Sequence, residues 1–257
     1  MNKRFNIYTG MYRFGFLLLI CLLSISGISQ INVTTFGLQV KPMVPSKFFD
    51  TGPTSITSEN LTVVFTPKFG LNMGMVIRRG LTKNWSFETG INMVQRNYDL
   101  EFQHPFPRTN QHLKFRYIGY EIPLQALIYV RLTDKLWMNA SGGVSIDIYP
   151  SDVRSNTSLF QDTTAIDYQQ LTIKNNWIQL SLLVNYGFEW RTKEDGYFYF
   201  GASFHRPFSD IGYTVTSLSI NNSQVASLVY ALKGSYLTAD FRYFFHEKPE
   251  KRKKPKK

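Results

Sequence analysis

Residues 178–190 read Ile178-Gln179-Leu180-Ser181-Leu182-Leu183-Val184-Asn185-Tyr186-Gly187-Phe188-Glu189-Trp190. Every even position is apolar, and every odd position except Leu183 is polar or glycine. A period of two is that of a β-strand with one oily and one wet face. The pattern recurs until eight such segments are present. The other apolar faces are Phe36, Leu38 and Val40; alternate positions of 69–77; Trp85, Phe87, Thr89, Ile91 and Met93; even positions of 120–130; even positions of Leu136–Ile148; even positions of 198–204; and odd positions of 237–245. None of these positions carries a charge.

The connections form a second pattern. Short polar turns near 79–84, 132–135 and 191–196 contain Gly, Asn or Asp, residues suited to reversing a chain. Long segments near 44–60, 99–114, 150–174 and 206–226 alternate with them. A meander with short turns at one end and long loops at the other is how an outer-membrane barrel is built. The reading is all-β: an eight-stranded antiparallel up-and-down transmembrane β-barrel over residues 30–245. Its lumen holds only side chains, because eight strands enclose no wider space.

A soluble ligand-binding barrel would show the same alternation with its apolar face inward. Aromatic placement favours the membrane. Trp85 and Trp137 begin strands after short turns, Trp190 precedes one, and Tyr243 and Phe245 end the last strand on that side. These five rings predict an interfacial girdle at the periplasmic rim. The wet face then lines the lumen, with Arg78, Glu88, Arg96, Glu121, Arg131, Asp147, Glu189, Asp240 and Arg242. Charges enclosed there need partners, and strand position predicts two ion pairs, Glu88 with Arg242 and Arg96 with Glu121. Pro123 predicts a missing ladder bond and a local bulge.

The ends carry their own signals. Lys3, Arg4 and Arg13 precede an apolar run ending in small residues near Ser29, the layout of a secretory signal peptide over 1–29. Residues 246–257 form a basic tail, expected to lie disordered in the periplasm. Of the net charge of +11, the first 13 residues hold +3 and the last 12 hold +5, so about +3 remains for the body. That basicity is no sign of nucleic-acid binding. Cys21 is the only cysteine and lies in the leader, which excludes disulfides and cysteine chemistry from the body.

Polar residues with chemistry are few. His104 and His112 lie in the second long loop and lack the further ligands a metal needs, so no metal or cofactor is expected. Ser203 and His205 share the wet face of the seventh strand, a pairing that some lipid hydrolases use. They face the lumen and lack a third orienting group, so no catalytic residue and no enzyme is expected. The fourth long loop, 209–224, is rich in Ser, Asn and Thr and suits recognition of a partner.

The run Tyr120-Glu121-Ile122-Pro123-Leu124, the strand Asn139-Ala140-Ser141-Gly142-Gly143-Val144 and the last strand, 236–245, resemble the small porin-like or PorT-like outer-membrane barrels of Bacteroidota. The resemblance covers roughly 30–245 and implies a barrel contacting outer-membrane lipid and other outer-membrane or periplasmic proteins. It implies a structural or interaction role, including membership of a larger machine such as a secretion system. A narrow porin-like channel and a soluble periplasmic barrel stand as alternatives. The tail departs from the pattern, since barrel chains often stop at a terminal aromatic whereas here Phe245 is followed by twelve more residues.

Overall fold

The computed structural model describes residues 33–245 except 46–50, 59, 83, 106–107, 162 and 193–195. The expected signal peptide over 1–29 and the basic tail over 246–257 lie outside the described residues. In chain order the strands are β1 (Thr34–Val44), β2 (Thr54–Ser58), β3 (Leu61–Gly80), β4 (Trp85–Pro105), β5 (Arg108–Arg131) and β6 (Leu136–Ile148). They continue with β7 (Val153–Gln161), β8 (Thr164–Lys174), β9 (Ile178–Arg191), β10 (Tyr197–Pro207), β11 (Gly212–Ile220), β12 (Ser223–Leu232) and β13 (Tyr236–Phe244).

Eight of them close a ring in the order β1-β13-β10-β9-β6-β5-β4-β3, with β3 pairing back onto β1. Every pairing in the ring is antiparallel. Closure leaves no strand edge, as hydrocarbon requires of a spanning sheet. The apolar stripes face outward: Phe36, Leu38, Ile91, Leu180, Tyr186 and Phe200 each expose 50 or 51% of their surface. The wet stripes are enclosed, with Gln39, Asn72, Glu88, Asn92, Asn185 and Glu189 all buried. An oily exterior around a polar interior overturns the soluble barrel, whose apolar face would have to line a cavity. The stripe from Tyr120 to Val130 rises about 26 Å at ~3.4 Å per residue and ~40° tilt, enough to cross the hydrocarbon.

This orientation makes a prediction. Val184 faces outward near the middle of β9 and is 44% exposed. Val184→Arg should destabilise the folded barrel by ~2–4 kcal/mol in phosphatidylcholine vesicles, read by urea unfolding, while Asn156→Arg on exposed β7 should be neutral.

Three of the long connections, those near 99–114, 150–174 and 206–226, are largely strand. β3, β4 and β5 run on beyond the barrel, and the segment around 99–114 is strand on both sides of its turn. β7 and β8 form one hairpin and β11 and β12 another; the two join as a four-stranded sheet in the order β12-β11-β8-β7. The 209–224 segment, read as a Ser/Asn/Thr-rich loop, is mostly hairpin and places Ile211 and Leu218 in a core. Its turn is Asn221-Asn222 with φ of 50° and 64°, the left-handed pair that a tight two-residue hairpin demands. β12 touches β2 and β3, and β7 touches β5, so the two sheets face each other above the barrel.

This outer tier reverses the barrel's polarity. Leu61, Val63, Phe65, Leu100, Phe102, Leu113, Phe115, Ile166 and Tyr168 point inward as one apolar cluster. β4 shows the change on a single stripe: its outward residues run Trp85, Phe87, Thr89, Ile91, Met93 and then Gln95, Asn97, Asp99, Glu101, Gln103. Lipid surrounds the first five and water the second five. β3 needs one extra device, because its inward residues are even-numbered in the barrel (Asn72, Val76, Arg78) and odd-numbered above it (Leu61, Val63, Phe65). A register shift between Lys68 and Leu71 supplies the change of face. The bulge expected at Pro123 is absent. The β4–β5 register is unchanged on either side, Thr89 opposite Leu124 and Asn92 opposite Glu121, so the proline leaves a gap in the ladder without an inserted residue.

Candidate functional site

The lumen is the chemically dense part of the molecule. Alternation puts Arg78 of β3, Glu88 of β4, Glu189 and Arg191 of β9, Asp240 and Arg242 of β13 and Lys41 of β1 on the inner face, where strand curvature aims them at the axis. They form a chain of alternating sign. Arg191 Nε lies 2.6 Å from Glu189 Oε1, and Glu189 Oε2 lies 2.5 Å from Arg78 Nη1. Arg78 Nη2 lies 2.9 Å from Glu88 Oε2, and Glu88 Oε1 lies 2.5 Å from Arg242 Nη1. Arg242 Nη2 reaches Asp240 Oδ2 at 2.8 Å, and Lys41 Nζ approaches the same oxygen at 3.7 Å. Glu88 and Arg242, paired by position in the sequence, therefore meet.

Arg96 and Glu121 do not form an ion pair. Glu121 is taken by Tyr236 Oη at 2.6 Å, Asn92 Nδ2 at 3.1 Å and His205 Nε2 at 3.6 Å. Arg96 donates Nη2 to the Gly234 carbonyl at 3.4 Å and lies over the rings of Tyr236 and Tyr149, 5.1 and 5.8 Å from their centroids. The register explains the miss. Glu121 stands opposite Asn92, whereas Arg96 stands opposite Tyr117, four residues and so two pleat repeats further out.

Two contacts join strands on opposite sides of the ring, Arg78 to Glu189 near the short-turn end and Tyr236 to Glu121 near the other. The lumen is thus cross-braced at both ends. Between them, Tyr199 donates to Asn185 Oδ1 at 2.7 Å across the space left by Gly187 and Gly201, where a Cβ would collide with the hydroxyl.

Around His205 the sequence reading missed a cluster. His205 Nε2 lies 3.0 Å from Asp147 Oδ2 and 3.2 Å from Ser145 Oγ, and Asp147 also accepts from Ser181. Glu121, Asp147 and His205 bring one ligand-type atom each within 4.8 Å of one another. No sequence spacing betrays this set, because its members lie on β5, β6 and β10 and meet only when the ring closes. Each member already has polar partners within the lumen, with His205 Nδ1 alone left buried without one, so the set reads as a buried hydrogen-bond network. Ser203 does not join it: Ser203 Oγ donates to Asp240 Oδ2 at 2.5 Å and accepts from Asn185 at 2.9 Å, with no bond to His205. His104 is buried at the end of β4, and His112 is exposed on β5 with Nδ1 3.2 Å from Asp99.

Of the five rim aromatics, Trp85, Trp190 and Phe245 face outward and are about half exposed, and Tyr243 packs outward between Phe198 and Phe245. Trp137 is a correction. Outward positions of β6 are even, so Trp137 falls on the lumen face, where the Arg191 guanidinium lies 4.4 Å from its ring centroid. The opposite end of the stripes carries aromatics the reading left out: Phe69, Tyr120, Trp177 and Phe208, all exposed.

Residues 27–213 match the family model described as outer membrane protein beta-barrel domain. Among solved structures, the outer membrane protein OprG from Pseudomonas aeruginosa is similar at 12% identity and a TM-score of 0.46, over 84% of this chain and 98% of that one. That likeness is too distant to carry function. None of the curated proteins matches the chain.

Proposed function

The chain belongs to the family of outer membrane protein β-barrel domains, and we propose from that premise that it is a closed anchor in the outer membrane, built to hold a folded outer tier against a protein partner. The observation that carries this is the outer face of the β12-β11-β8-β7 sheet. Ile173, Tyr213 and Ala231 stand in one cross-strand row there, and Leu171, Val215 and Val229 in the next. Tyr213 and Val229 are 42 and 61% exposed on that face, in the rows that adjoin the barrel. Arg154 flanks the second row, and the rows beyond carry Asn156, Gln169, Ser158 and Asp167; apolar rows bordered by polar and charged residues suit a protein interface.

The cross-braced lumen supports anchoring over conduction, since braces that link opposite walls leave no continuous bore. In this reading residues 1–29 export the chain, 246–257 lie on the periplasmic side, and the chain is akin to the PorT-like barrels of Bacteroidota, whose tyrosine-glutamate-isoleucine-proline-leucine strand 120–124 resembles. The partner on this face is another protein of the outer membrane, as in a secretion machine.

Crosslinking in the native envelope followed by affinity purification in mild detergent tests the idea. The full chain should carry a reproducible partner, and Val229→Glu should lose it at least tenfold while still migrating as a folded barrel on unheated gels. Unchanged recovery with Val229→Glu, or no partner with the native chain, overturns the reading.

A further inference from the structure

A cleft lies where the two tiers meet. β1 ends at Val44 and β2 begins only at Thr54, while β12 ends at Leu232 and β13 begins at Tyr236. The barrel wall and the outer sheet therefore share no ladder on this side. The cleft is narrow, a cavity of about 40 Å³ that opens to the outside, and its apolar walls include Met43, Phe65, Tyr98, Tyr230 and Leu232. Met43, Val94 and Tyr236 pack together beneath it. It sits at the level where the outward stripe of β3 passes from Phe69, 70% exposed, to Lys68, the boundary between hydrocarbon and headgroups.

Arg96 lines this cleft. Arg96 is 6% exposed, its Nε has no hydrogen-bond partner, and no carboxylate lies within salt-bridge distance among the described residues. Every other buried guanidinium of the lumen, Arg78 and Arg242, has two carboxylates. The hydroxyls of the stacked pair Tyr117 and Tyr149 beside it are also buried without partners. An enclosed cation without an anion is costly, and a bound anion removes the cost.

We propose that this cleft binds a single-chain amphiphile with an anionic head, carboxylate or phosphate, the head paired with Arg96 and the first methylenes laid against Leu232 and the stacked pair of Phe65 and Tyr230. The head chemistry follows from the guanidinium, whose planar fork matches carboxylate and phosphate oxygens. The tail follows from the aromatic and aliphatic walls and from the site's height at the lipid interface.

The test uses the full folded chain in dodecyl maltoside, with native mass spectrometry reading adducts of palmitate, hexadecyl phosphate and the neutral hexadecanol. At least one anion should bind, hexadecanol should bind at least ~tenfold more weakly, and Arg96→Gln should lose a comparable factor that Arg96→Lys partly restores. Palmitate alone would identify a free carboxylate source, and hexadecyl phosphate alone a phosphate-headed lipid. Should Arg96→Gln fail to fold, Leu232→Trp, which fills the cleft and keeps the guanidinium, must abolish the same adducts. Equal binding of hexadecanol, no adduct with either anion, or full binding by the folded variants overturns the proposal.

Discussion

Glu88→Ala should destabilise the barrel by about 3–5 kcal/mol, the cost of leaving enclosed charges without their counter-charge. Glu88 is shared between two guanidiniums, Arg78 at 2.9 Å and Arg242 at 2.5 Å, and is buried with both. Its removal leaves Arg78 with Glu189 alone and Arg242 with Asp240 alone, an excess of positive charge within the lumen. The measurement is urea unfolding in lipid vesicles, followed by the mobility difference between heated and unheated samples. Glu88→Gln, which keeps the shape but not the charge, should fall between alanine and the native chain. Removing the facing cation as well should recover part of the loss, so that Glu88→Met with Arg242→Met costs less than the two single changes added together. A loss below ~1 kcal/mol for Glu88→Ala would mean that the lumen is hydrated and the chain of charges is not what braces it.

The barrel was legible because lipid and lumen impose the same two-residue rule on every crossing strand, and one violation anywhere would leave a charge in hydrocarbon. All eight crossing strands fall where the alternation put them, from β1 through Phe36, Leu38 and Val40 to β13 through Leu237 and Phe245. The same rule hid the outer tier. Above the membrane, water is outside and the core inside, so Gln95 to Gln103 on β4 look like the wet residues of a loop although they are the outer face of a strand. The Ser and Thr content of 209–224 misled for the same reason: Thr214 and Thr216 are inward and buried, with Thr214 Oγ1 2.8 Å from Thr172 Oγ1 on β8. In the lumen, Glu88 and Arg242 could be paired from depth alone because both lie close to the short-turn end, where register errors have not accumulated. Arg96 and Glu121 lie farther out, and Tyr236 and His205, reaching from the opposite wall, claim Glu121 first. Trp137 escaped because its residue type outweighed its odd position on a strand whose outward residues are even.

Phe102→Ala should separate the two tiers. The ring is fully buried in the outer core, edge-on to Tyr168 of β8 with centroids 5.1 Å apart, and so bridges the β4 extension to the four-stranded sheet. Truncating a buried phenylalanine costs ~3–5 kcal/mol, and in this tier the loss falls on an assembly held by the hydrophobic effect in water. The barrel below has no such debt, because its apolar face meets lipid whether or not the outer core is packed, and its ladder closes through β1 and β3 without the hairpins. The expected result is therefore split. Amides of β7, β8, β11 and β12 should exchange with deuterium faster by a factor of ~100 or more, and the hairpins should become sensitive to added protease, while the lumen-lining strands keep their protection and the chain still migrates as a folded barrel on unheated gels. Val94, buried at the joint with Met43 and Tyr236, supplies the contrast: Val94→Ala touches both tiers and should lower protection in both by a smaller amount. If Phe102→Ala instead unfolds the barrel together with the hairpins, the outer tier is part of one cooperative unit and cannot be a body that the anchor merely carries. If it changes neither, the inward cluster around Phe102 does not hold the hairpins in place.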